Sequence, residues 1–154
     1  MTLFLRSLAI VVMALAGLVH VPAARAAGAY EAHLPDNLST APDLCALVPC
    51  REVLPGATQF SERKGQPPYV EGYAGEGSER RLVGYVMLST DITDTPAYSG
   101  KPVVTLIGMD RDGRFVGVKV LKHSEPILLL GIPEAALVNF NQQYLGRKIT
   151  DSIE

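Results

Sequence analysis

Apolar residues recur at strand spacing through the middle of the chain. "PPYVEGYAG" and "RLVGYVMLST" flank the turn-rich "EGSER", which predicts a hairpin. "SGKP" then introduces "VVTLIGM", and Asp110-Arg111-Asp112-Gly113 separates it from "RFVGVKVL". In that last run Val116, Val118 and Val120 alternate with Gly117 and Lys119, and an Asp/Gly turn between two such runs predicts a second hairpin. The period then changes. In "PEAALVNFNQQYLGRK", Leu137, Phe140, Tyr144 and Leu145 fall at i, i+3, i+7 and i+8, one stripe of a helix. Pro133 suits the first helical turn, Glu134 complements the positive end of the dipole, and Gly146 with Arg147 and Lys148 closes the far end. The expected fold is α+β: an antiparallel β-meander of about four strands with a C-terminal helix packed on one face. No repeats or low-complexity segments interrupt it.

The first half of the chain lacks this regularity. Arg6 is the only charge before an apolar stretch from Leu8 to Val19, and "HVPAARAAGAY" follows. That order reads as a signal peptide over residues 1–26, with Ala24-Arg25-Ala26 as the small-residue cleavage site; an uncleaved anchor helix is the alternative. Residues 27–50 are rich in Ala, Pro, Asp and Asn and read as a loosely structured leader, with a short helix over "APDLCALV". The folded domain is expected over residues 51–154.

Loss of Arg6 and Arg25 with the signal takes the formal net charge from −2 to −4. An acidic chain without clustered Lys and Arg is a poor partner for nucleic acid, whose binding requires displacement of phosphate counterions. Cys45 and Cys50 stand in "DLCALVPCRE". In an exported chain two cysteines form a structural disulfide more often than a metal site, and Pro49 supplies a turn to bring them together. A redox-active or partner-linking pair stays open as the alternative.

The inventory argues against most enzyme classes. His20 lies in the signal and His33 in the leader, leaving His123 as the histidine of the core. No G-x-S-x-G elbow, H-E-x-x-H helix or glycine-rich phosphate loop accompanies it. "GMDRDG" lacks the remaining ligands of a calcium loop and reads as a plain turn. What does stand out is "HSEPILLLGIPE" over residues 123–134, a dense apolar run between two proline-stiffened corners. A flat heteroaromatic ligand needs apolar slabs for its faces and a few polar groups at its edge. His123, Ser124 and Glu125 are candidate edge groups, Ile127 to Leu130 a candidate slab, and Pro126 and Gly131 the pins at either end. "TPAYSGKP" is a second such segment, with Tyr98 and Ser99 ahead of Gly100. Without a ligand, both are simply connections between elements.

These segments together resemble the periplasmic flavin-binding domain of NosR/NirI-type membrane regulatory proteins, which is related to the flavin domains of the RnfG and NqrC subunits of ion-pumping complexes. "LCALVPCREVLPGATQF", "YSGKP", "G-x-D-x-x-G", "H-x-E-P-I-x-L-x-G-I-P" and "FNQQYLGRKI" carry the likeness, over roughly residues 44–149. The resemblance implies an FMN-binding module in the periplasm, an electron-transfer and regulatory domain rather than a stand-alone enzyme. It also implies association with the inner membrane through the rest of a longer protein. In such proteins the domain precedes transmembrane helices and an iron–sulfur region, and serves electron supply to, and expression or maturation of, nitrous oxide reductase in denitrification. That membrane and iron–sulfur part, or another periplasmic redox partner, is the implied partner. The implied FMN contacts are Tyr98, Ser99, Gly100, His123, Ser124, Glu125, Pro126 and Gly131, with the aliphatic run buried and the His-Ser-Glu corner facing the site. The family esterifies FMN to a threonine in an S-G-A-T motif downstream of the helix. This chain reaches "KITDSIE" without it, which implies a piece of a longer protein or the product of a truncated gene. Thr58, in Pro55-Gly56-Ala57-Thr58, matches the family's N-terminal P-G-A segment and is not expected to carry flavin. The alternative function is a flavin-free periplasmic interaction module acting through its surface or through Cys45 and Cys50.

Overall fold

The computed structural model describes residues 34–152. The signal peptide expected over residues 1–26 lies outside the described residues, as does the start of the leader.

Alternation in the second half of the chain builds one antiparallel sheet of five strands in sequential order. They are β1 (Gln59–Phe60), β2 (Val70–Ala74), β3 (Arg81–Leu88), β4 (Val104–Asp110) and β5 (Phe115–Lys122). The expected α+β meander is present, with the two-residue β1 added at one edge. Between β4 and β5 the Asp110 carboxylate accepts the backbone N–H groups of Asp112 and Arg114, both at 2.9 Å. An Asx-type turn of this kind holds the hairpin closed from its first residue.

Register sends Val70, Val86, Leu88 and Leu106 to one face, where they are almost fully buried. The residues expected as a leader help cover that face. Leu38, Leu44, Val48 and Cys50 join the core cluster, and the short helices α1 (Leu44–Leu47) and α2 (Cys50–Val53) lie within that segment. The leader is therefore a layer of the fold: a sheet with one apolar face must bury it, and Leu38, Leu44, Val48 and Cys50 supply the cover. Its low periodicity reflects a path of turns and single-turn helices, in which no long amphipathic stripe can develop.

Two features lock this layer to the sheet. Cys45 and Cys50 are joined in a disulfide that ties α1 to α2. Val53, at the end of α2, sits over Gly108 of β4 and Gly117 of β5, which face one another across the ladder. A Cβ at Gly108 would lie 2.0 Å from the Val53 carbonyl oxygen, and one at Gly117 would lie 2.4 Å from the Val53 Cα. Glycine is required at both positions by this close approach rather than by backbone dihedrals.

After β5 the chain forms α4 (Pro126–Leu129) and α5 (Glu134–Gln142). Pro126 and Pro133 sit at or just before the first residue of each, where a missing N–H costs nothing. Residues 146–149 then return along the start of β5: Phe115 donates to the Arg147 carbonyl (3.0 Å), Gly146 to the Phe115 carbonyl (2.8 Å) and Ile149 to the Gly113 carbonyl (2.9 Å). Among the described residues no helix is long and apolar enough to cross a membrane.

Candidate functional site

Helices α4 and α5 and the turn between them enclose an apolar groove of about 410 Å³. Ile127 and Leu128 of α4 line it from one side, Ala136, Leu137 and Phe140 of α5 from the other, and Ile132 closes the turn. Glu125 is the charged residue at its edge. The volume is within the range of small-molecule sites, and an apolar lining with one convergent polar group is the arrangement such sites adopt.

Burial along "HSEPILLLGIPE" is the reverse of the expected order. His123 is buried at the end of β5, whereas Ile127, Leu129 and Leu130 are exposed to 67%, 46% and 86%. The aliphatic run is thus a surface helix, not a core slab. The physical reason is position. The sheet's apolar face is already covered by residues 34–57, so a segment leaving the edge strand β5 finds no remaining core to enter. The helix stripe is affected in the same way: Leu137 and Tyr144 are half-buried, but Phe140 and Leu145 are exposed. Phe140 and Tyr144 pack edge to face, and Tyr144 in turn meets Phe115 of β5.

The structure brings together part of the expected site. The backbone N–H of Ser99 donates to Glu125 Oε1 at 3.2 Å, joining the "TPAYSGKP" and "HSEP" segments across 26 residues of sequence. Ser99 Oγ also accepts the Lys101 N–H at 3.3 Å, and Gly100 turns the loop with φ +75°. Ser124 is half-buried beside Glu125, while Pro126 and Gly131 are exposed at the two ends of α4. Tyr98 is 92% exposed and lies apart from the groove lining. Ile132, Ala136, Leu137 and Phe140 were not among the expected contacts. Their helical spacing was legible, but which side of the stripe meets a neighbour depends on where α4 ends.

A cluster of coupled titratable groups lies elsewhere, on and beside β2 near the opposite edge of the sheet. Glu71 accepts the Tyr73 hydroxyl and, at 2.6 Å, the Lys64 ammonium. Lys64, then Tyr73, hold the Glu71 carboxyl below its ordinary range, and the same bonds raise Lys64 and Tyr73. Arg80 stacks on the Tyr73 ring at 3.6 Å. This is a solvated ion-pair cluster with no cavity beside it among those described.

No family model matches the sequence, and no solved structure matches it. Three curated proteins are similar to it. "Regulatory protein NosR" of Stutzerimonas stutzeri is 46% identical over 65 residues, 42% of this chain and 9% of the relative. "Regulatory protein NosR" of Pseudomonas aeruginosa is 39% identical over 85 residues, 55% of this chain and 12% of the relative. "Protein NirI" of Paracoccus denitrificans is 31% identical over 72 residues, 47% of this chain and 11% of the relative. The matches thus span only about a tenth of each relative's length. Over about half of its own length, this chain is homologous to regulatory proteins of the NosR and NirI kind.

Proposed function

We propose that this chain is a periplasmic, flavin-binding-type module of a NosR-like membrane regulatory protein, serving electron supply to nitrous oxide reductase or its expression and maturation in denitrification. The observation that carries the reading is the coupling of the two singled-out segments by the Ser99–Glu125 hydrogen bond at the rim of an apolar groove. Similarity to proteins named NosR and NirI gives that groove its context. An N-terminal signal pattern supports export.

The residues present suit one end of FMN and not the other. An isoalloxazine ring is flat and apolar on both faces, and Ile127, Leu128, Leu137 and Phe140 offer it matching surfaces. The phosphate has no counterpart among the described lining residues: none of them is Lys or Arg, and Glu125 repels an anion. Glu125 with the Ser99 loop orients the ring's polar edge, and the groove walls exclude water from its faces.

The test is a titration of the purified chain with FMN and with lumiflavin, the ring lacking the ribityl phosphate, followed by flavin fluorescence. Weak and nearly equal binding of both is expected, reduced several-fold by Phe140→Ala, which removes an aromatic wall. No binding of either flavin, or FMN binding far tighter than lumiflavin, would refute this placement of the ring. Flavin is also expected to remain non-covalent: after co-expression with a flavin transferase and denaturation, the protein band should not fluoresce.

A flavin-free interaction module is favoured by a different observation. Ile127, Leu129 and Leu130, at 67%, 46% and 86% exposure, leave an apolar patch on α4 and the residue after it. Apolar patches of this kind mark contacts with other proteins. With the disulfide closed, Cys45 and Cys50 take no part in such contacts as thiols.

A further inference from the structure

A second cavity, of about 260 Å³, lies on the other side of α5, between that helix, α2 and β5. Its walls are Val53, Val118, Val120 and Val138. Asn141 also lines it, and this side chain is unlike the rest of the exposed helix: it is 9% exposed and makes no side-chain hydrogen bond to any described residue. Its carboxamide keeps contact with solvent at the cavity, so its donor and acceptor are uncommitted within the protein and available to a ligand there. At the same cavity stand Glu52 and Lys119, one carboxylate and one ammonium, in an ion pair whose side chains are 57% and 36% exposed.

From this arrangement we infer that the cavity is a binding site for a small zwitterion with an apolar side chain, that is, a free α-amino acid of the valine or leucine size. Each part of such a ligand has a counterpart. Its carboxylate meets Lys119, its ammonium meets Glu52, its side chain meets the valines, and Asn141 supplies the donor and acceptor that the buried end of the ligand's polar group lacks. A solvated surface ion pair contributes little, so Glu52 and Lys119 exchange each other for the ligand's two charges at small cost. Simple anions and simple cations are disfavoured, because each would meet one charge of its own sign at the cavity. A wholly apolar ligand would leave Asn141 unsatisfied. The site is built by tertiary structure: α2 is held over it by the disulfide and by the seat of Val53 on Gly108 and Gly117.

The experiment is an amide and methyl NMR titration of the full chain with L-leucine up to about 10 mM, a range that captures weak specific binding. Saturable shifts at Val118, Val120 and Asn141 are expected. 4-Methylpentanoate, which lacks the ammonium, and leucinamide, which lacks the carboxylate, should bind about tenfold more weakly or worse. Glu52→Gln, at an exposed position, and Lys119→Gln, at a half-buried one with its charged end at the surface, should each weaken leucine by about tenfold, with the fold checked by the unchanged amide spectrum of the other strands. No shift at these residues, equal binding of leucine and its two truncated analogues, or indifference to both variants would overturn the assignment. Lumiflavin added in the same tube should leave the leucine shifts in place, because the flavin groove is a separate cavity on the same helix.

Discussion

Single side chains are best judged by what covers them. Leu106 is fully buried between neighbouring strands and the N-terminal layer, and Leu106→Ala should cost about 2–5 kcal/mol in chemical denaturation. Leu129 belongs to the more conspicuous run in the sequence, yet at 46% exposure Leu129→Ala should cost less than about 1 kcal/mol. His123→Ala should exceed Leu129→Ala, since it empties a buried position at a strand end. Equal losses for Leu129 and Leu106 would mean that α4 is packed after all.

The Lys64–Glu71–Tyr73 cluster adds a pH-dependent term. Glu71 has a lowered folded-state pKa, so its contribution is present above the ordinary carboxylate value and is lost as pH falls through the lower, folded one. Lys64 is raised, so its contribution is present below the ordinary ammonium value and lost as pH rises through the folded one. Glu71→Gln should therefore flatten the acid limb of a stability–pH curve while leaving the shape between pH 6 and 8, far from either titration, unchanged.

At the level of elements, the short helix α2 is held by its anchors rather than by propensity. A four-residue helix has no independent stability, and Pro49 at its N-cap makes no side-chain cap. The disulfide closes a loop with a sequence separation of 5, for which chain entropy gives a contribution of about 2 kcal/mol. Cys45→Ala with Cys50→Ala should lower stability by about that amount, measured as a fall in denaturation midpoint. Gly117→Ala should do comparable or greater damage without touching the cysteines, because its methyl group would collide with the Val53 backbone. If Gly117→Ala were neutral, α2 would not be seated where the structure places it.

Across the whole molecule, the N-terminal layer and the sheet are joined by a buried ion pair. Arg63 meets Asp91 at 2.8 Å, with side chains 8% and 5% exposed. It also donates to the carbonyls of Leu38 (2.8 Å) and Ser39 (3.1 Å), while its own N–H reaches Pro42. One guanidinium thus ties the segment before α1 to the short helix α3 (Ser89–Ile92) that follows β3. Arg63→Ala leaves a buried carboxylate and two carbonyls without their donor, and should cost about 3–5 kcal/mol. Hydrogen exchange in that variant should rise first in residues 38–54, ahead of the central strands.

Local chemistry was legible in the sequence wherever its cause is local. Period-2 alternation, the Asp110–Gly113 turn and the 3.6-residue stripe after Pro133 depend on backbone geometry and on neighbours a few residues away, and they located the strands and the last helix. The motif order that carried the family resemblance is likewise a property of the chain, and similarity to NosR and NirI is found from sequence over about half of its length. What no local pattern could assign is competition for one apolar face. "HSEPILLLGIPE" is more hydrophobic than "NLSTAPDLCALVPCREV", yet the latter buries Leu38, Leu44, Val48, Cys50 and Val53 while Ile127, Leu129 and Leu130 of the former are exposed. The difference arises because the N-terminal segment reaches the glycine-lined centre of the sheet, held there by Arg63 and the disulfide. The C-terminal segment leaves from the edge strand, where little face remains to be covered. That outcome exposes α4, opens the groove against α5 and turns Asn141 inward, so both cavities are products of the tertiary structure alone.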